Sequence, residues 1–366
     1  LIYTAGGPYL AIGGNFTLVH NKATGTDVPA RNLAVLRVRD GHVMWGAGIM
    51  GGDKPYVKTL QFQASTNTLY VGGSFTSING VTRKAVAAFS ATSYALRPWA
   101  PVVNGGTIRD IEVTNAGVVY LAGNGGVGAY RADTAAKVWY VPATGGVVHS
   151  LLLSPDQSGL YAGGLFTALG GVPQKFLAEI FPLSTGAVFT RFAPNMGAGQ
   201  YPLKLRWDTG APQLRLIAGV GGTTPEQSIQ SLDPYFGGKF WSYNTEGDTQ
   251  AVAVLGNTIL SGHHRSHGNQ STGCPFVYFG TQWANSGFVL PWDPGLNNGT
   301  AGKSTPQSVA SEANGGISDI LVEPQTRKVF IAGDFTAYGG TCDYATTAFF
   351  YVPCTGSTPL RGVAVS

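Results

Sequence analysis

Tyr70-Val71-Gly72-Gly73-Ser74-Phe75-Thr76 joins an apolar run to a glycine pair, then to an aromatic followed by a hydroxyl. It reads as a β-strand entering a tight bend, because β-branched and aromatic residues favour strands and glycine tolerates the backbone of a bend or bulge. The pattern returns at Leu10-Ala11-Ile12-Gly13-Gly14-Asn15-Phe16-Thr17, at Tyr161-Ala162-Gly163-Gly164-Leu165-Phe166-Thr167 and at Phe330-Ile331-Ala332-Gly333-Asp334-Phe335-Thr336. Three weaker copies keep the apolar run and a glycine: Tyr120-Leu121-Ala122-Gly123-Asn124, Leu216-Ile217-Ala218-Gly219-Val220 and Ile259-Leu260-Ser261-Gly262-His263-His264. Seven copies at irregular spacings of roughly 40–70 residues mark a repeat architecture in which each copy is one supersecondary unit.

Two further signals bracket each copy. Upstream lies a strand of alternating polar and apolar residues, as in Lys58–Phe62, Ile108–Val113, Val148–Leu152, Gln250–Val254 and Ile317–Val322. Downstream, a short strand and a turn lead to a bulky aromatic: Trp45, Trp99, Trp139, Phe192, Trp241 and Trp292, with Leu360-Arg361-Gly362 in the seventh copy. Each unit therefore reads as four short antiparallel strands. Four-stranded units repeated about an axis make a β-propeller, and seven is within the usual number of blades. The expected fold is all-β: one seven-bladed β-propeller domain over 1–366, with blades near 1–50, 51–104, 105–144, 145–198, 199–246, 247–313 and 314–366. The first unit has only the short Leu1–Tyr3 for its leading strand. That strand is either frayed or supplied by Gly362–Ser366 to close the ring, and closure is the expectation.

Composition agrees. The 366 residues include 53 glycines and 21 prolines for turns, only 11% charged residues, and 43% hydrophobic residues to build a core. No run approaches the roughly 20 apolar residues of a membrane helix. The net charge of +4 is scattered, whereas nucleic-acid binding calls for a clustered basic face. No signal segment opens the chain and Leu1 is not an initiator methionine, so the sequence reads as mature or excised from something longer. Cys342 and Cys354 flank a short stretch that could be a hairpin and would suit a bridge in an oxidising compartment, leaving Cys274 over; three reduced buried thiols are the alternative. The sequons at Asn15, Asn269 and Asn298 are about what chance supplies.

The series Val/Ala-Gly-Gly-x-Phe-Thr, Gly-Gly, Arg-x-x-Leu-Ala, Thr-Gly-Ala and Trp-x-Pro resembles the delta-60-type repeat propellers of secreted bacterial proteins, notably of actinobacteria. Here its pieces are Gly13-Gly14-Asn15-Phe16-Thr17 with Arg31-Asn32-Leu33-Ala34, and Gly163–Thr167 with Gly170-Gly171, Phe176-Leu177-Ala178 and Thr185-Gly186-Ala187. Trp99-Ala100-Pro101, Phe192-Ala193-Pro194 and Trp292-Asp293-Pro294 complete the pattern. The resemblance spans nearly the whole chain. It implies an extracellular or envelope-associated module, often part of a longer polypeptide, with no common activity; similar repeats occur in bacteriophage tail proteins.

The motif residues themselves read as structural. No helix follows the glycine pairs to form a phosphate site, and Phe16, Phe75, Phe166 and Phe335 are expected to fill wedges between blades. Candidate function lies on the innermost strands, whose ends form the mouth of a central channel. Lys58, Arg109, Asp110, His149, Gln250 and Asp319 are the expected binding residues, with Ser150, Lys204 and Ser318 beside them; alternatively these groups hydrogen-bond one another and channel water. His263-His264-Arg265-Ser266-His267 could chelate a transition metal through His263, His264 and His267, but no Asp, Glu or Cys lies nearby before Cys274. A packed His264 with solvated neighbours is the expectation, and neither a metal nor another cofactor is expected.

The expected function is a non-catalytic interaction module, extracellular or virion-borne, which binds a cell-surface glycan or protein through loops of unequal length on a rigid scaffold. An assembly part of a phage tail or cell-surface structure, whose partners are neighbouring subunits or domains, is the second reading. A glycosidase is the third and needs two carboxylates; Asp110, Glu112 and Asp319 are the candidates, and Ser154–Gly159 only faintly resembles a sialidase Asp-box.

Overall fold

In the computed structural model the chain is all-β; among the described residues a single 3-10 turn, Ala64–Thr66, interrupts the strands. The structure describes residues 2–4, 7–182, 185–222, 227–245, 247–256 and 258–263. Beyond these it describes strands at 279–283, 317–322, 329–333, 337–338, 341–342, 354–355, 358–359 and 363–365. No helix among the described residues is long and apolar enough to cross a membrane. The chain forms two compact units, Leu1–Thr190 and Arg191–Ser366.

The described residues of the first unit form four antiparallel sheets and one two-stranded hairpin. The first contains β1 (Ile2–Thr4) and β2 (Gly7–Gly13), a side hairpin of β3 (Leu18–Asn21) and β4 (Thr26–Pro29), then β5 (Asn32–Arg37) and β6 (Val43–Met50). The second contains β7 (Tyr56–Gln63), β8 (Thr68–Ser74) and β11 (Val86–Ser90), the intervening hairpin β9 (Ser77–Ile78) and β10 (Val81–Thr82) pairing instead with β6 through β9. Its fourth strand is reduced to the bridge Phe89↔Leu96. Pro98 and Pro101 follow closely, and proline has no N–H to extend a ladder. The third comprises β12 (Ile108–Val113), β13 (Val118–Gly123), β14 (Gly126–Arg131) and β15 (Lys137–Thr144). The fourth contains β16 (Val147–Leu153), β17 (Leu160–Leu165), β18 (Ala168–Leu169), β19 (Leu177–Ile180) and β20 (Val188–Phe189); β18 pairs not here but with β15.

In the second unit, β21 (Tyr201–Asp208), β22 (Arg215–Gly221), β23 (Ser228–Leu232) and β24 (Lys239–Asn244) form one sheet. A second contains β25 (Thr249–Leu255), β26 (Thr258–His263) and β27 (Phe279–Trp283). A third begins with β28 (Ile317–Val322) and β29 (Val329–Gly333). After β30 (Ala337–Tyr338), β31 (Thr341–Cys342), β32 (Cys354–Thr355) and β33 (Thr358–Pro359), the strand β34 (Val363–Val365) joins β29. Cys342 and Cys354 are direct partners in the β31–β32 register, the backbone adjacency a bridge between them requires; Cys274 lies outside the described residues.

This corrects the expected closure. The leading strand of the first sheet is β1, in register Ile2↔Tyr9 with β2, and Ile2 is buried in the core between the first two sheets. The C-terminal strand serves as the third strand of its own sheet. Burial of Ile2 gives a short strand enough apolar contact to hold.

The repeated motif interlocks successive sheets. Phe75 leaves the second sheet to pack among Ala47 and Ile49 of the first, and Phe166 leaves the fourth to pack against Trp139 and Val141 of the third. The residues after each phenylalanine then hydrogen-bond to the preceding sheet's outer strand: β9 pairs with β6, β18 with β15, and Thr167 N donates to Thr144 O at 2.8 Å. Phe16 differs, being half-buried against Val19, Ala30 and Val43 of its own sheet; Phe335 lies outside the described residues.

The downstream aromatics reach the other way. Trp45 stacks on Tyr94 of the second sheet's turn, 5.3 Å between centroids. Trp99 Nε1 donates to Arg131 O of the third sheet at 2.9 Å, and Trp139 Nε1 to Pro182 O of the fourth at 3.0 Å. Within the second unit Trp241 packs with Val252 and Ile259 of the next sheet. The indoles of Trp99 and Trp139 are thus buried with their one donor satisfied; Trp45 and Trp241 are half-buried, and Trp292 lies outside the described residues.

Candidate functional site

The glycine pair sets the geometry of the innermost strands. A Cβ on Gly73 would lie 2.1 Å from Tyr56 O, one on Gly123 2.0 Å from Thr107 O, and one on Gly164 2.2 Å from Val147 O. These contacts are with backbone, which cannot give way. The close approach accommodates a β-bulge on the facing inner strand, an extra residue that re-aims its side chain. The register slips at Val57/Thr59, Ile108/Asp110, Val148/Ser150, Pro202/Lys204, Thr249/Ala251 and Ile317/Asp319. The residues singled out are Lys58, Arg109, His149, Leu203, Gln250 and Ser318. One position, repeated over six sheets, carries six different side chains.

In the first unit β12 packs between β7 and β16, so the bulges bring Lys58, Arg109 and His149 together. Lys58 is exposed, and Arg109 and His149 are half-buried. Arg109 Nε donates to Asn124 Oδ1 at 3.1 Å, which orients the guanidinium. Burial, reinforced by the charges of Arg109 and Lys58, pulls His149 down to about 4, so the ring is neutral at neutral pH.

One residue deeper, Asp110 is buried and serves the scaffold. Its Oδ1 accepts from Thr59 Oγ1 at 3.2 Å and from Ile111 N at 3.0 Å; Oδ2 accepts from Ser150 Oγ and Leu151 N, both at 3.0 Å. The carboxylate thus ties β7, β12 and β16 together. Glu112 lies two residues further along β12, half-buried.

In the second unit Gln250 is the half-buried bulge residue of β25, and exposed Asp319 follows the bulge residue Ser318 as Asp110 follows Arg109. Asp319 Oδ1 accepts from Ile320 N at 3.0 Å and lies 3.8 Å from Arg206 Nη2, a solvent-exposed pair of small energetic weight. Lys204 is half-buried on β21.

His263 is not the solvated neighbour expected. It is buried at 3% exposure, with Nδ1 3.3 Å from Thr249 Oγ1 and Nε2 3.0 Å from Ser261 Oγ, and burial lowers it to about 4. Both ring nitrogens are engaged by hydroxyls. His264 and His267 lie outside the described residues, and no metal-ligand cluster occurs among the described ones. The Ser154–Gly159 stretch is a hairpin turn held by Asp156, which accepts from both Ser154 and Ser158 hydroxyls.

Sequence reasoning named Lys58, Arg109, His149, Gln250 and Ser318 but treated them alike with Asp110 and Asp319. It missed Leu203, which is apolar, and the supporting Thr59 and Asn124. The available signal was the glycine pair, since glycine inside a strand marks a bulge on the partner or a close backbone approach.

Residues 64–89 match the family model described as "Domain of unknown function (DUF5122) beta-propeller". That stretch includes β8, its Gly-Gly-Ser-Phe-Thr motif and most of β11. No curated protein matches the chain. Among solved structures, the chain is similar to one titled "Crystal Structure of Mitotic Checkpoint Complex", at 13% identity over 89% of this chain and 91% of that one, TM-score 0.54. It is also similar to the computationally designed Ika8 protein, at 10% identity over 87% and 79%, TM-score 0.52. At these identities the likeness is one of fold.

Proposed function

We propose that the chain is a seven-bladed β-propeller acting as a non-catalytic interaction module, extracellular or virion-borne, that binds a cell-surface glycan or protein. One observation carries this: the glycine-seated bulge presents a different side chain at the same place on successive inner strands. A constant scaffold with one variable position suits recognition, since the fold tolerates any residue there while the ligand selects among them. The location rests on the resemblance to secreted and tail-borne repeat proteins. Of the three carboxylates a glycosidase would draw on, Asp110 is held by four donors as a clamp between strands.

The test is binding of the folded chain to arrayed host-surface glycans and intact actinobacterial cells. The Lys58→Ala/Arg109→Ala/His149→Ala variant is expected to keep its melting temperature and lose saturable binding. Full binding by that variant would remove the site.

Assembly remains the second reading because of one feature. Tyr235, Phe236, Phe240 and Tyr243 are exposed at 61%, 66%, 43% and 37% along the β23–β24 hairpin, and a cluster of exposed aromatics suits a neighbouring subunit. Concentration-dependent association abolished by Phe236→Ser would favour it.

A further inference from the structure

We infer that Lys58, Arg109 and His149 form an oxyanion site, built to take a carboxylate, sulfate or phosphate group of the ligand. This rests on the reading of the bulge residues as the binding position and adds the chemistry of what they bind. Three nitrogen-bearing side chains arrive from β7, β12 and β16, and each occupies the bulged residue of its strand. Arg109 and Lys58 are the cationic pair, and His149 feels both as like charges; a basic cluster of this kind attracts an anion.

The donors are complementary in kind. Arg109 offers a planar fork whose orientation is set by Nε on Asn124 Oδ1, and guanidinium forks match the paired oxygens of carboxylate, sulfate and phosphate. Lys58 is the exposed point charge beside it. His149 is neutral in the empty site and can donate from one ring nitrogen, or from both once an anion reverses the local field. Asp110, the buried carboxylate of β12, is directed to Thr59, Ser150 and two backbone amides. That carboxylate is thereby committed to joining the strands.

The experiment follows His149 and His263 by imidazole NMR while the folded chain is titrated with sodium sulfate, sodium phosphate or sodium acetate. Sodium chloride at matched ionic strength is the control. The His149 signals are expected to shift saturably with at least one oxyanion, whereas the His263 signals, sealed in the second unit, stay fixed. The order of the three affinities identifies whether sulfated, phosphorylated or carboxylated ligands are preferred. Arg109→Ala and Lys58→Ala are each expected to weaken the oxyanion at least tenfold, and Arg109→Lys to weaken it less than Arg109→Ala. No saturable shift, or the same shift with chloride, overturns the oxyanion site.

The two readings fail separately. Sulfate binding together with undiminished glycan or cell binding by the triple variant upholds the anion site and removes it as the partner site. Partner binding lost in the triple variant, with no oxyanion shift, keeps the partner site and overturns its anionic chemistry.

Discussion

Asp110 and His149 stand on neighbouring inner strands and differ in what their surroundings ask of them. Asp110 accepts four hydrogen bonds in a buried position, two from hydroxyls and two from backbone amides. Hydrogen bonds to a charged acceptor contribute about 1.5–3 kcal/mol each, without strict additivity. Asp110→Ala is therefore expected to lower stability by on the order of 3 kcal/mol in urea unfolding, and Asp110→Asn by less, since the amide oxygen still accepts one pair of these bonds although its nitrogen meets donors. An unchanged midpoint would show that the carboxylate does not clamp the strands. Sequence made Asp110 a candidate because it is polar and lies on an inner strand. Only the partners, Thr59 on one side and Ser150 on the other, reveal it as scaffold, and those contacts join residues 51 and 40 positions apart.

At the scale of elements, the motif has four linked tasks: a strand, a bulge opposite its glycines, an aromatic sent back to the preceding sheet, and a return strand. The residue entering the third strand completes it. Asn32, Ala85 and Phe176 take the same left-handed backbone, at φ 70°, 62° and 69°. Their amides donate to Phe16, Phe75 and Phe166 carbonyls, and their carbonyls accept from Gly14, Gly73 and Gly164. Alanine and phenylalanine hold that conformation at a cost of roughly 1–2 kcal/mol, which the repeated hydrogen bonds offset. Gly73→Ala or Gly164→Ala is expected to destabilise by about 1–3 kcal/mol, because the new methyl meets backbone carbonyl rather than a movable side chain. The bulge residue next to the substituted glycine should also turn, so Gly164→Ala is expected to move the His149 imidazole signals. A variant that melts normally with those signals unchanged would show that the glycine does not seat the bulge.

For the whole molecule, pH is the sharpest probe. His149 in the first unit and His263 in the second are both held neutral, each lowered from the ordinary 6.5 to about 4 with burial the main cause. A histidine that is harder to protonate folded than unfolded gives stability that is complete above about 6.5 and lost as pH falls toward 4, since the unfolded chain then binds more protons. For fully buried His263 the loss is on the order of 3 kcal/mol. Thermal melts from pH 7.5 to 4 are expected to fall less steeply for His263→Gln than for the parent chain. Parallel slopes would mean that His263 is protonated within the fold.

By itself the sequence determined the strand content, the seven-fold recurrence of the glycine motif, and the leading strands at 108–113 and 317–322, because these depend on period and on local backbone preference. It also placed Phe75, Phe166, Trp45, Trp99, Trp139 and Trp241 between sheets, since large apolar rings beside turns must be buried somewhere. Tertiary structure alone decided that Ile2–Thr4 leads the first sheet and that Val363–Val365 joins Val329–Gly333. It alone decided that His263 is sealed between hydroxyls. It also separated Arg109, turned out by a bulge, from Asp110, turned in. That separation is a single-residue slip in register, and a slip is set by which backbones can approach closely, a property of two strands together and of neither sequence alone.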